Sequence, residues 1–124
     1  MGDPIRVLVA EDNDNLRSVV ISLLDTETDL RCVAETGVLE EVVPLATATD
    51  AQLVVLDIEL NGKSSLASLP QLRRELPTAR FLMHSGHGHP ALIARALAAG
   101  ASGYVLKSGN PDELVHAIRK CMVS

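Results

Sequence analysis

Five residues with complementary chemistry punctuate the chain: Glu11 and Asp12 side by side, then Asp57, Ser85 and Lys107. Each closes or directly follows a short aliphatic run, namely "IRVLVA" (5–10), "LVVLD" (53–57), "RFLMHS" (80–85) and "GYVLK" (103–107). Three carboxylates on one rim cannot all stay charged and unpaired. At an effective dielectric near 20, two unit charges ~4 Å apart repel by roughly 4 kcal/mol. A cation, an amine or raised pKa values must relieve that repulsion. Hard oxygen ligands that encircle a site incompletely suit Mg²⁺, which keeps several waters and also binds phosphate oxygens. Lys107 offers a compact positive charge, and Ser85 a hydroxyl that can donate to a phosphoryl oxygen. Together these residue types support the handling of a divalent cation and a phosphoryl group.

Whether the five meet depends on the elements that carry them. With "RCVAE" (31–35), the aliphatic runs make five expected strands. Near-continuous Val, Ile and Leu in the first and third predicts strands covered on both faces. Between them lie helical patterns. Leu16, Val19, Val20, Leu23 and Leu24 repeat at helical spacing and predict an amphipathic helix with a wide apolar face. Weaker patterns over 38–48 and 64–75 contain Pro44 and Pro70, which are expected to shorten those helices. A fourth helix over 90–99 starts at Pro90, with Gly100 as its C-cap. The last has Asn110 as N-cap, Pro111 at the first position, Glu113 at the third, and a buried stripe of Leu114, Ile118 and Cys121 or Met122. Regular βα alternation predicts a parallel sheet with right-handed crossovers and helices on both faces. In such sheets ligands bind at the carboxyl ends of strands, where strand order reverses.

Composition removes several function classes. The 124 residues suit one domain, expected over 1–124, with an aliphatic core because Phe81 and Tyr104 are the only aromatics. A net charge of −5 argues against broad binding to nucleic acid or an anionic membrane. No apolar run approaches the ~20 residues of a membrane helix, and no signal peptide is evident, so a cytoplasmic setting is expected. Cys32 and Cys121 read as small hydrophobes or free thiols. A dinucleotide site would need glycines after the first strand, where Glu11 and Asp12 would instead repel phosphates. A Gly-x-Ser-x-Gly elbow is absent. "DNDN" (12–15) lacks the glycine and distant glutamate of a calcium loop.

The stretches "VLVAEDND" (7–14), "VVLDIEL" (54–60), "FLMHSG" (81–86) and "GASGYVLKSGNPDELVHAI" (100–118) together resemble the receiver domain of two-component response regulators. The resemblance spans the chain in order. It is closest to the NarL/LuxR-type subfamily through "AGASGYVLK" (99–107) and "PDELVHAI" (111–118). It implies a flavodoxin-like, doubly wound (βα)5 α/β sandwich with strand order 2-1-3-4-5. It also implies that Asp57 is the phosphoacceptor, taking a phosphoryl group from a phosphohistidine of a sensor histidine kinase. Mg²⁺ would be held by Glu11, Asp12, Asp57 and the backbone carbonyl of Glu59. Lys107 and Ser85, with backbone N–H groups of Ile58, Glu59 and Gly86, would grip the phosphoryl oxygens. Ser85 and Tyr104 would form the switch, biasing a surface of the fourth helix, fifth strand and fifth helix. Such a domain is no enzyme acting on separate substrates; it promotes only its own phosphorylation and dephosphorylation. It implies a homodimer on phosphorylation, and DNA contact only through a LuxR-type helix-turn-helix output domain beyond this chain.

Two departures stand out. Leu60-Asn61 precedes Gly62 where receivers usually carry Met-Pro, and Ser108 stands where a proline, with its cis peptide, often follows the lysine. Neither removes a reacting group. The first keeps open an alternative: a stand-alone or pseudo-receiver that works by protein contact without phosphate. The histidines of "HSGHGHP" (84–90) do not read as one metal site, because strand alternation puts His84 on the opposite face from Ser85, away from His87 and His89.

Overall fold

The computed structural model describes residues 2–123. Its main sheet contains β1 (Ile5–Ala10), β2 (Leu30–Thr36), β3 (Leu53–Asp57), β6 (Arg80–Ser85) and β7 (Gly103–Leu106). A short hairpin, β4 (Glu59–Leu60) and β5 (Lys63–Ser64), follows β3. The main strands are all parallel and lie in the order β2-β1-β3-β6-β7. Counting only those five, this is the expected 2-1-3-4-5 order of a flavodoxin-like sheet. The chain runs outward from β1 to β2, then returns to β3 on the other side of β1. The strand order therefore reverses between β1 and β3, and their carboxyl ends flank the crevice where ligands of such sheets bind.

Helices cover both faces, as the two-sided apolar strands require. Leu8, Ala10, Val54, Leu56, Phe81 and Met83 face α2 (Val42–Thr49), α3 (Ser65–Glu75) and α4 (Pro90–Ala98). Their neighbours Val7, Val9, Leu53, Val55, Leu82 and Val105 face α1 (Asp14–Asp25) and α5 (Pro111–Met122). All five residues of β3 are buried. Central strands packed on both sides hold their ends rigidly, which suits a site built from those ends.

Local signals set the helix starts. Asn13 caps α1 by accepting from the Leu16 N–H, and Asn110 caps α5 by accepting from the Asp112 N–H. Pro90 and Pro111 sit at first-turn positions, where no N–H is needed. Pro44 falls in the first turn of α2, which is shortened by the 3-10 segment Leu39–Glu41 before it. Pro70 behaves differently from expectation: α3 runs through it unbroken. That helix sacrifices one backbone hydrogen bond and keeps Leu66, Leu69 and Leu72 buried, so packing outweighs the local defect. A second correction concerns Val19, placed on the apolar face of α1 by spacing but 64% exposed. Val20 and Leu24 are the fully buried side chains of that helix. The apolar stripe is wider than the surface the sheet can cover.

Candidate functional site

Sheet pairing brings the separated residues together. Glu11 extends β1, its N–H donating to the Thr36 carbonyl at 2.9 Å, and Lys107 extends β7, its N–H donating to the Ser85 carbonyl at 2.7 Å. Lys107 Nζ then reaches back across the strand ends. It lies 2.9 Å from Glu11 Oε1 and 3.0 Å from Asp57 Oδ2. One carboxylate oxygen from each of Glu11, Asp12 and Asp57 lies within 4.8 Å of the others. Asp12, Asp57, Glu59, Ser85 and Lys107 line one cleft of about 490 Å³, with Ile58, Gly86, His87 and Leu92.

Burial divides the acids. Glu11 and Asp57 are 1% and 5% exposed, whereas Asp12 stands on the exposed rim. Burial pushes the Asp57 carboxyl up to about 7, Glu11 reinforcing the rise and Lys107 opposing it. The Asn61 N–H, 2.8 Å from Asp12 Oδ2, holds Asp12 below the usual carboxylate range. Burial alone would lower the Lys107 ammonium, but contacts with Glu11 and Asp57 outweigh it and raise its pKa. When all three carboxylates are ionised, one ammonium leaves an excess of two negative charges.

Glu11 Oε1 is buried, and its contact is the Lys107 ammonium, which it shares with Asp57. Converging hard oxygens, and more carboxylates than one ammonium can balance, fit a hard divalent cation. The acid cluster can therefore hold a metal ion.

The expected backbone donors have different present partners. The Ile58 N–H is directed to the His84 carbonyl at 3.4 Å, at the carboxyl end of the β3–β6 pair. The Glu59 N–H instead approaches Asp57 Oδ1 at 3.3 Å. Ser85 Oγ accepts from the His87 N–H at 3.0 Å, which leaves the Ser85 hydroxyl hydrogen available. Tyr104 is half-buried, and its hydroxyl donates to the His87 carbonyl at 2.6 Å. Ser85 and Tyr104 thus grip the same residue from opposite ends of its peptide units.

The histidines separate as expected. His84 is buried and lines a small cavity with Leu16, Val20 and Leu114 on the α1–α5 side of the sheet. His87 borders the acidic cleft, and His89 is the N-cap position of α4. Burial, followed by the Lys107 charge, lowers His84 to about 4. Cys121 is buried and Cys32 half-buried, both as free thiols, with burial raising each.

Three supporting residues were not anticipated. Ser65 donates its hydroxyl to the carbonyls of Asp57 and Ile58, fixing the backbone at the end of β3. Arg17 donates to the Glu11 carbonyl at 2.7 Å while pairing with Asp14 and Glu35. Asn61 supplies the N–H on Asp12. Ser65 and Arg17 carry no sequence signal, but "NG" at 61–62 between "EL" and "KS" is a hairpin signal. No helix of the described residues is long and apolar enough to cross a membrane.

Comparison with known proteins agrees with this fold. The family model described as "Response regulator receiver domain" matches residues 7–119. The nitrate/nitrite response regulator protein NarL of Escherichia coli is 30% identical over 118 residues, covering 95% of this chain and 55% of that protein. The transcriptional regulatory protein UhpA of Escherichia coli is 37% identical over 114 residues, covering 92% of this chain and 57% of that protein. The chain therefore spans about half the length of the curated relatives it matches. Among solved structures, the signal receiver domain of the putative response regulator NarL from Mycobacterium tuberculosis superposes with a TM-score of 0.89 at 27% identity, covering 97% of both chains. A LuxR-family two-component response regulator from Aurantimonas gives 0.88 at 32% identity, covering 94% of this chain and 84% of that one. The chain belongs to the response regulator receiver domain family, in the NarL/LuxR-type branch.

Proposed function

We propose that this domain accepts a phosphoryl group on Asp57 from a phosphohistidine of a sensor histidine kinase, with Mg²⁺ as cofactor. The observation that carries the reading is the convergence of Asp57 with Glu11, Asp12 and the Lys107 ammonium at one rim. Glu11, Asp12, Asp57 and the backbone carbonyl of Glu59 would hold the cation. When bound, it supplies neutralisation of charge on the transferring oxygens. An Asp57 carboxylate oxygen attacks phosphorus, the phosphorus–nitrogen bond breaks, and the imidazole leaves with the electron pair. Such transfers pass through a loose transition state in which positioning and charge neutralisation do most of the work. Lys107, released by Asp57 as that carboxylate becomes an acyl phosphate, donates to one phosphoryl oxygen. The Ser85 hydroxyl and the N–H groups of Glu59 and Gly86 take others.

Recruitment of Ser85 would withdraw its oxygen from the His87 N–H and release the loop whose next carbonyl holds Tyr104. That linkage supports a switch running from Ser85 through His87 to Tyr104, and so to the surface of α4, β7 and α5. The output is proposed to be a LuxR-type helix-turn-helix in the longer protein, acting in the cytoplasm, with homodimerisation on phosphorylation. The domain itself contacts neither DNA nor membrane and turns over no separate substrate.

Incubation with acetyl phosphate and Mg²⁺, read by intact mass, is expected to add one phosphoryl group to the wild type and none to Asp57→Ala. Equal phosphorylation of Asp57→Ala overturns the assignment.

A further inference from the structure

The segment Glu59–Ser64 forms an antiparallel hairpin in which Glu59 pairs with Ser64 and Leu60 with Lys63. Both turn residues have positive φ, Asn61 at 52° and Gly62 at 80°. That is the backbone of a type I′ turn, for which Asn-Gly is the preferred pair. A lone two-stranded hairpin is marginal in water. Here it is pinned. Leu60 is fully buried in the core. The Ser65 N–H donates to the Ile58 carbonyl at 2.9 Å at the hairpin base, and Lys63 pairs with Glu40 ahead of α2. So held, the hairpin touches two of the three carboxylates: Asn61 N–H meets Asp12 Oδ2 at 2.8 Å, and Glu59 N–H approaches Asp57 Oδ1 at 3.3 Å.

We propose that this hairpin is a positioning element for the divalent cation, its Asn61-Gly62 turn presenting the N–H that orients the Asp12 carboxylate. The inference rests on the reading of Glu11, Asp12 and Asp57 as cation ligands. Asp12 is the member of that set that stands on the exposed rim, and so the one with rotamer freedom to lose on binding. One oxygen taken by a fixed backbone N–H leaves the other to a ligand in a set direction, as outer-shell partners do in metal sites. Gly62 matters because an ordinary side chain is strained at its φ. Asn is the substitute that tolerates the left-handed region best. Asn61 and Gly62 are therefore positioning residues, acting through the backbone of the turn.

Calorimetric Mg²⁺ titration of the wild type, Gly62→Asn and Gly62→Val tests this. Gly62→Val is expected to weaken Mg²⁺ binding about tenfold or more, the usual effect of losing an outer-shell partner, while Gly62→Asn stays close to wild type. In ¹⁵N-labelled wild type, Mg²⁺ is expected to shift the Asn61 amide resonance and slow its hydrogen exchange. Unchanged affinity in Gly62→Val overturns the proposal, as does an Asn61 amide that ignores Mg²⁺ in a wild type that binds it. The amide measurement decides alone if Gly62→Val does not fold. Absence of Mg²⁺ binding by the wild type is a separate result, which removes the underlying cation reading as well.

Discussion

Two clusters in this molecule share the same ingredients, one cationic side chain between two carboxylates, yet differ in their electrostatics. On the surface, the Arg119 guanidinium joins α5 to the segment before β2, meeting Glu27 at 2.6 Å and Asp29 at 2.8 Å through both Nη2 and Nε. Each oxygen of Asp29 receives a donor, and that contact holds its carboxyl low while raising Arg119. At the strand ends, Lys107 meets Glu11 and Asp57 at similar distances, but Asp57 is pushed up and the one ammonium is shared between two buried acids. A planar fork in water satisfies its acids; a point charge in the interior leaves them in need. The difference is what separates a fastening from a site: one cluster is complete, and the other is poised to take further charge.

The comparison can be broken at its strongest point by removing Lys107. Lys107→Ala leaves two buried carboxylates uncompensated and is expected to lower unfolding stability by about 4 kcal/mol, measured by denaturant titration without Mg²⁺. Addition of Mg²⁺ should recover most of the loss. Asp57→Asn tests the same tension in reverse. Because burial raises the Asp57 pKa from an ordinary 3.8 to about 7, wild-type stability is lost as pH rises through that window. The variant should therefore exceed wild type by about 4 kcal/mol at pH 8, with the gain fading towards pH 4.

His84 carries the opposite sign. Its pKa falls from an ordinary 6.5 to about 4, so its contribution is present above pH 6.5 and lost as pH drops towards 4. His84→Gln should flatten acid destabilisation across that window by about 3 kcal/mol, seen by comparing denaturation midpoints at pH 7 and pH 4. Arg119→Ala is expected to have the smallest effect, a slight fall in melting temperature that disappears near ~1 M salt. A large, salt-resistant loss would erase the distinction between the two clusters.

Sequence pattern revealed the five main strands and α1, α4 and α5 through strong periodic or capping signals, whereas α2 and α3 gave weaker patterns, each holding a proline. Glu11, Asp12, Asp57, Ser85 and Lys107 were legible for a related reason: polar residues that end aliphatic runs share one rim once the strands are parallel. The β4–β5 hairpin was passed over. Leu60-Asn61 registered only as a departure from Met-Pro, although the turn chemistry of Asn61-Gly62 was readable by itself. The present partner of the Ile58 N–H, the Ser65 hydroxyl bonds and the exposure of Val19 were not readable. Each depends on which atoms happen to lie opposite, and periodicity does not encode that. Pro70 shows the same limit, since tertiary burial overrode a strong local signal.

The ion pair between Glu11 and Lys107 joins the residue just past the first strand to the residue just past the last. During synthesis the acids emerge well before their balancing ammonium. A chain cut ahead of β7 would hold Glu11 and Asp57 without that ammonium, and the two buried carboxylates would repel one another.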